Sequence, residues 1–151
     1  MTGRSLAYTV YGHADRIHYA CDNFCWGPAV RERFFTWLWE SLNVGVVRFV
    51  EMDSSEFLRH EPALIKDPIG LYFYDADHSY EATLESLRLA EPFLARQAVI
   101  VLDDTNEPDV LRSVADWLKA TPQASLLFDL PTPGNCHPTW WNGIQVLAYR
   151  R

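Results

Sequence analysis

The stretch LYFYDADHSYE, residues 71–81, decides the fold of this chain. It begins as an apolar run, passes through two aspartates separated by one residue, and leads into a segment whose Tyr80, Leu84 and Leu87 recur at helical spacing. A buried strand, a polar turn and an amphipathic helix make one βα unit. The rest of the chain is therefore searched for further units of this kind.

Short apolar runs alternate with amphipathic stretches on both sides of residues 71–81, as in repeated βα units around a mostly parallel sheet. Most of the runs are nearly continuous, which is typical of strands covered on both faces. A length of 151 residues with 48% hydrophobic residues suits one domain with one core, so we predict a single domain, residues 1–151. The predicted strands are Ile17–Asp22, Val46–Met52, Ile69–Asp75, Ala98–Asp104, Ser125–Asp129 and Ile144–Arg150.

Three stripes of apolar residues at helical spacing predict the helices between these strands. Pro28 suits the first turn of the first helix, and Pro92 bends or ends the second. Turn-forming residues at 131–135 separate the last two strands, which we expect to pair antiparallel. The stripes are Val30, Phe34, Leu38 and Leu42; Tyr80, Leu84, Leu87 and Leu94; and Val110, Leu111, Val114, Trp117 and Leu118.

The charge and the hydropathy of the chain exclude some classes of binding partner. A formal net charge of −7 and a pI near 5.1 argue against nucleic acid, because a phosphate backbone needs a clustered basic face. No apolar run reaches the roughly 20 residues that cross a bilayer, and residues 1–5 lack the apolar core of a signal peptide. We therefore predict a cytoplasmic protein with no membrane partner, whose three cysteines are reduced thiols.

Acidic residues collect at the ends of the predicted strands. Asp22, Asp53 and Asp75 end or follow the first three strands, and the pair Asp103 and Asp104 ends the fourth. Ligands of open α/β sheets bind beyond the carboxyl ends of the strands, so these side chains are candidates for a site. Aspartate also caps helices and forms turns, and this alternative is strongest for Asp53, which precedes a helix-like segment.

The carboxylates at the ends of the third and fourth strands suggest a metal site. Asp75, Asp103 and Asp104 would supply the hard oxygen ligands that suit Mg²⁺ or a similar divalent ion. Such an ion could bind a hydroxyl and help to ionise it, and Asp77 or His78 could then take the proton. The alternatives are that His78 only helps to start a helix, and that residues 75–77 are the Asp-x-Asp of a nucleotide-sugar transferase, a weak motif.

Residues 71–81, the following helix and the strand that ends at Asp103 and Asp104 resemble class I S-adenosylmethionine-dependent O-methyltransferases that act on small molecules and sugars. Residues 19–24 and 46–53 are similar to the second and third strands of that family, and residues 140–144 to the start of its final strand. The resemblance implies a Rossmann-like α/β fold with a mostly parallel sheet, helices on both faces and an antiparallel last strand. It also implies methyl transfer from S-adenosylmethionine to a hydroxyl of a small molecule or sugar.

The resemblance also assigns roles to individual residues. In the cofactor site, Asp22 lies near the ribose and Asp53 with Ser54 near the adenine. Gly3 and Ser5 end the glycine-rich turn at the methionine portion. In metal-dependent members the ligands fall at Asp75, Asp103 and Asp104, with Asp75 also beside the cofactor, and the catalytic base falls at Asp77 or His78.

Residues 1–5 resemble only the end of that glycine-rich turn, so we expect an N-terminally truncated fold without the family's first strand. Three arrangements could close the gap in the sheet: direct pairing of the neighbouring strands, a segment donated by a second subunit of a homo-oligomer, or a strand formed by residues 6–11. The alternative function is a non-catalytic, methyltransferase-like binding or assembly module. The tryptophans Trp26, Trp140 and Trp141 motivate it, since they are candidates for an exposed surface.

Overall fold

The computed structural model describes residues 4–13, 15–41 and 44–151. In this part of the chain the strands are β1 (His18–Cys21), β2 (Val47–Val50), β3 (Ile69–Tyr74), β4 (Leu94–Asp103), β5 (Ala124–Leu130) and β6 (Ile144–Arg150). The helices are α1 (Arg4–Val10), α2 (Pro28–Ser41), α3 (Ser54–His60), α4 (Tyr80–Ala90) and α5 (Pro108–Ala120), with 3₁₀ turns at Val44–Val46, Pro62–Leu64 and Glu91–Phe93. The chain divides into two compact units, Met1–Phe57 and Leu58–Arg151.

The second unit contains a four-stranded sheet in the order β3-β4-β6-β5. β3 and β4 are parallel, with Tyr74 opposite Leu102 near their carboxyl ends. β6 runs antiparallel between β4 and β5, with Asp103 opposite Ile144. These two registers bring the ends of β3 and β4 and the start of β6 to the same edge of the sheet.

The core of the second unit forms between this sheet and the helices α4 and α5. The apolar stripe of each helix supplies buried side chains, among them Leu87 of α4 and Trp117 of α5, and the sheet supplies Ile100, Leu102 and Leu147. Each of these five side chains is at most 1% exposed. Burial of a large apolar side chain stabilises a fold by about 1.5–3 kcal/mol, so this cluster holds the ends of β3 and β4 in fixed positions.

The first unit contains the parallel pair β1 and β2, with Cys21 opposite Val50. Phe24, Phe34 and Leu38 form its buried core, and Phe49 of β2 packs against them. The rings of Phe34 and Phe49 are tilted, with centroids 4.9 Å apart, within the range that aromatic pairs favour. This cluster holds the end of β1 and the start of α2 together.

The structure confirms the predicted α/β fold class, and each predicted strand has an observed counterpart. It also confirms the antiparallel pairing of the last two strands. The prediction for Leu94 was wrong: α4 ends at Ala90, Pro92 lies in a 3₁₀ turn, and Leu94 begins β4. Leu42, predicted for the first helix, lies outside the described residues.

One of the arrangements proposed to close the sheet is not observed, because residues 6–10 belong to helix α1 and do not form a strand. Direct pairing of the neighbouring strands stays a prediction. A segment donated by a second subunit, and with it a homo-oligomer, also stays a prediction, as does the single domain.

None of the described helices has an apolar stretch long enough to cross a membrane. The location of the protein in the cytoplasm stays a prediction. Cys21, Cys25 and Cys136 are free thiols, as the sequence predicted.

Candidate functional site

Three carboxylates meet where β3 and β4 end. Asp75 follows the last residue of β3, while Asp103 ends β4 and Asp104 follows it, and one oxygen of each lies within 4.8 Å of the others. The parallel register explains the proximity, because Tyr74 and Leu102 are opposite each other and the chains continue side by side. The structure therefore brings together the three residues that the sequence singled out as metal ligands.

The three carboxylates repel one another electrostatically. Burial, together with the smaller effects of the charges of Asp103 and Asp104, raises the pKa of Asp75 to about 6. Burial also raises the pKa of Asp103, against a backbone hydrogen bond from Asp104 that lowers it. An arrangement of this kind favours a proton or a cation at the cluster.

Asp104 is held in an unusual conformation. Its φ of 56° lies in the left-handed region, which few residues other than glycine adopt, and its surface is only 7% exposed. One carboxylate oxygen, Oδ1, accepts a hydrogen bond of 2.7 Å from Nδ2 of Asn142. The other, Oδ2, lies 2.8 Å from Nε2 of His78.

His78 has the geometry of a proton acceptor. A carboxylate oxygen only accepts hydrogen bonds, so the hydrogen of a neutral His78 ring lies on Nε2, which leaves Nδ1 able to accept a proton. The side chain is 44% exposed and can be reached from solvent. The N-cap of α4 is Ser79, whose hydroxyl accepts a hydrogen bond from the backbone N–H of Ala82. The helix start thus does not use the His78 ring, which favours the predicted functional role over the alternative.

Asp77, the other candidate base, is hydrogen-bonded within its own turn. Its Oδ1 accepts a hydrogen bond of 2.7 Å from the backbone N–H of Ser79, and its backbone oxygen accepts from the hydroxyl of Tyr74 at 2.6 Å. The hydrogen bonds from Ser79 lower the pKa of Asp77, which makes its carboxylate a weaker base. The geometry therefore favours His78 over Asp77 as the base.

The predicted cofactor residues of the first unit lie at the ends of β1 and β2. Oδ1 of Asp22 accepts from the backbone N–H of Phe24 at 2.7 Å, and Oδ1 of Asp53 accepts from that of Ser55 at 2.8 Å. Both carboxylates stabilise turns in this way, and Asp53 caps α3, which supports the structural alternative for it. Burial raises the pKa of Cys21 to about 12, and the charges of Asp53 and Asp22 contribute to the rise. The two acids therefore lie near one thiol.

The remaining predicted cofactor residues are Ser54, Ser5 and Gly3. Ser54 is the first residue of α3, and Ser5 lies in α1 with an exposed side chain. Gly3 lies outside the described residues. The cofactor-binding roles of all these residues stay predictions.

Sequence reasoning missed Asn142, which the structure places in contact with the acidic cluster. Asn142 precedes Gly143, and the pair resembles a simple turn before the last strand. The contact with Asp104 arises because Asp103 pairs with Ile144 in the antiparallel register of β4 and β6. Only the dense turn-forming residues before β6 offered a signal in the sequence.

Comparison with known proteins identifies the family. The model of a family described as a methyltransferase domain matches residues 1–105. The chain belongs to this family. The resemblance to class I S-adenosylmethionine-dependent methyltransferases is thereby confirmed. No curated protein matches the chain in sequence.

Solved structures of methyltransferases share the fold. A provisionally named O-methyltransferase from Klebsiella pneumoniae matches with a TM-score of 0.73 at 19% identity, covering 99% of this chain and 69% of its own. The O-methyltransferase from Bacillus cereus in complex with SAH matches with a TM-score of 0.69 at 13% identity, covering 98% and 80%. An rRNA methylase from Streptococcus thermophilus matches with a TM-score of 0.64 at 14% identity, covering 99% and 82%. At these identities the matches show the fold alone.

Proposed function

We propose that this methyltransferase domain is an S-adenosylmethionine-dependent O-methyltransferase, which transfers a methyl group to a hydroxyl of a small molecule or sugar with the help of a divalent metal. The observation that carries the proposal is the cluster of Asp75, Asp103 and Asp104 with His78 paired to Asp104. A metal ion and a proton acceptor at one edge of a sheet would both promote ionisation of a hydroxyl.

The donor set fits a hard divalent cation. Each of the three aspartates offers an oxygen within 4.8 Å of the others, and Mg²⁺ prefers oxygen ligands of this kind. Burial is the main cause of the raised pKa values of Asp75 and Asp103, and a cation at the cluster would favour the charged forms of both. A divalent ion held by the three carboxylates would stabilise the negative charge that develops on the acceptor oxygen.

The proton of the acceptor hydroxyl would go to Nδ1 of His78. Asp104 holds the hydrogen on Nε2 and stabilises the ring when it becomes positive, because the carboxylate lies 2.8 Å away. The methyl group would then pass to the ionised oxygen. The carbon–sulfur bond of the donor would break as the carbon–oxygen bond forms, and the sulfur would keep the bonding electrons as a neutral thioether. Aligning the two reactants is the other contribution that the protein makes.

S-Adenosylmethionine would supply the electrophilic methyl group, and Asp22 and Asp53 are the residues of this chain proposed to hold its ribose and adenine. Both lie at the carboxyl ends of parallel strands, where α/β sheets bind ligands. Support also comes from the Bacillus cereus enzyme, which has the same fold and was solved with SAH.

The acceptor class rests on charge. The chain carries a net charge of −7, which disfavours a polyanionic acceptor. The fold alone leaves the acceptor open, since an rRNA methylase shares it. We therefore propose a small hydroxylated molecule, with no nucleic acid and no membrane as partner.

The test combines a binding and a transfer measurement. Calorimetric titration of the chain with S-adenosylhomocysteine should give saturable heat. Transfer of label from methyl-tritiated S-adenosylmethionine to a panel of catechols and hydroxylated sugars should require Mg²⁺ and stop with EDTA. Absence of saturable heat would overturn the methyltransferase proposal, and transfer that resists EDTA would overturn the role of the metal.

The second candidate is a non-catalytic methyltransferase-like module with a binding or assembly role. The exposure of Trp26, Trp140 and Trp141, at 78%, 49% and 57%, favours it, because large exposed aromatics are common in interaction surfaces. This module would have lost cofactor binding, so the same titration separates the two. Methyl transfer by the purified chain would eliminate it.

A further inference from the structure

Both ends of the Asn142 side-chain amide form hydrogen bonds. Its Oδ1 accepts a hydrogen bond of 2.9 Å from the backbone N–H of Cys136, and its Nδ2 donates to Oδ1 of Asp104 at 2.7 Å. A backbone N–H only donates, so the amide oxygen must face Cys136 and the amide nitrogen must face Asp104. The two hydrogen-bond partners therefore determine which end of the amide faces Asp104.

The backbone around Asn142 is joined to the segment that follows β4. The N–H of Asn106 donates to the backbone oxygen of Asn142 at 2.6 Å, and the N–H of Thr105 donates to that of Gly143 at 3.2 Å. Gly143 has a φ of +85°, and a Cβ at this position would lie 2.6 Å from Oδ1 of Asn106. The two segments thus approach as closely as only glycine allows, which leaves Asn142 little freedom to move away from Asp104.

Asn142 consequently determines how Asp104 presents its second oxygen. With Oδ1 bound to the amide, the carboxylate plane is fixed and Oδ2 faces Nε2 of His78 at 2.8 Å. Asp104 has a left-handed φ of 56°, a conformation that needs support from its surroundings. The amide of Asn142 supplies that support without adding charge.

We propose that Asn142 is a positioning residue, which orients Asp104 and through it both the His78 ring and the acidic cluster. The inference rests on the proposed function for its catalytic meaning, but the contact itself can be tested in the protein without substrate or cofactor. Partners that orient the ligands of a metal are typically worth 10- to 100-fold in metal affinity or activity.

The first experiment uses the His78 ring as a reporter. Long-range ¹H–¹⁵N correlation spectra at one fixed pH where the ring is neutral should show the Nε2–H form of His78 alone in the wild-type protein. Asn142→Ala and Asn142→Asp should both introduce the Nδ1–H form, since Asp104 is then no longer held. Asn135→Ala is the matched control: it removes an amide of the same loop that donates to Glu107, and it should leave the His78 signals unchanged.

The second experiment is titration with Mn²⁺ alone, followed by electron paramagnetic resonance. We expect Asn142→Ala to bind Mn²⁺ about tenfold more weakly than wild type and Asn135→Ala to bind equally well. Asp103→Ala serves as the reference for the metal site. If Asp103→Ala binds Mn²⁺ as tightly as wild type, the metal site of the proposed function is wrong, and the role of Asn142 is decided by the His78 spectra alone. Unchanged His78 signals in a folded Asn142→Ala protein would overturn the positioning role.

Discussion

The Nε2 atom of His78 lies 2.8 Å from Oδ2 of Asp104, and this contact joins the turn after β3 to the residue that follows β4. Asp104 also belongs to the cluster with Asp75 and Asp103. The proposed proton acceptor and the proposed cation site thus share one carboxylate, which holds them at a fixed separation.

Replacement of His78 by alanine should slow methyl transfer by about 10²- to 10⁴-fold, the usual contribution of a general base. Affinity for S-adenosylhomocysteine should stay the same, since the ring is proposed to act only on the acceptor. The control is His137→Ala, which removes a half-buried histidine whose ring is hydrogen-bonded to Thr139 and lies outside the acidic cluster. Rates measured with a saturating acceptor identify the effect, and an unimpaired His78→Ala enzyme would return the role of base to Asp77.

The acidic cluster should make the metal-free protein less stable as pH rises. The pKa of Asp75 is raised to about 6, so between about pH 4 and 6 the folded chain retains a proton that the unfolded chain has lost. Stability therefore falls through this window and stays lower above it, by up to about 3 kcal/mol for a shift of this size.

Replacement of Asp75 by asparagine should remove this loss. We expect Asp75→Asn to be more stable than wild type at pH 8 by about 1–2 kcal/mol, and to show little difference near pH 4.5. Urea denaturation at the two pH values, without divalent ions, measures the difference. Equal stabilisation at both pH values would show that ionisation of Asp75 is not its cause.

The acidic cluster could be anticipated from the sequence because its positions depend on local rules. Apolar runs indicated β3 and β4, parallel strands end at one edge, and Asp75 and Asp104 follow directly. The contact of Asn142 with Asp104 depends on the register of β6 against β4, which no local pattern specifies. The end of α4 before Leu94 shows the same limit, because Pro92 stops the helix but does not reveal where the next strand begins.

Divalent ions should stabilise the wild-type chain through the three carboxylates. At a Mg²⁺ concentration about 100 times its Kd, binding adds about 2.7 kcal/mol to the free energy of unfolding and should raise Tm by several degrees. Asp103→Ala should abolish the rise. Asp129→Ala is the matched control, since Asp129 lies near the end of another strand and is bonded to Gln145 instead of facing other acids. A rise in Tm that persists in Asp103→Ala would place the ion elsewhere.

Gly143→Ala should destabilise the protein and disturb the site at once. The new Cβ would lie 2.6 Å from Oδ1 of Asn106, and the φ of +85° is unfavourable for alanine. We expect a loss of about 1–3 kcal/mol in the free energy of unfolding, together with slower methyl transfer because Asn142 moves. Gly134→Ala, at a position with open space around it, should have little effect on either. Equal stability of the two variants in urea would contradict the close approach at Gly143.

Asp22→Asn separates the structural role of this residue from the proposed cofactor role. The amide oxygen of asparagine can still accept the hydrogen bond from the N–H of Phe24, so the turn after β1 should remain. A ribose needs two acceptors for its hydroxyls, and the substitution replaces one of them with a donor. Affinity for S-adenosylhomocysteine should therefore fall about 10- to 100-fold, while the midpoint of urea denaturation stays the same.

Asp15→Asn, which changes an exposed acid beside Arg16 in the same unit, is the control and should bind as wild type does. If Asp22→Asn bound S-adenosylhomocysteine as tightly as the control, Asp22 would be a turn residue only, and the ribose would have to be held by other groups.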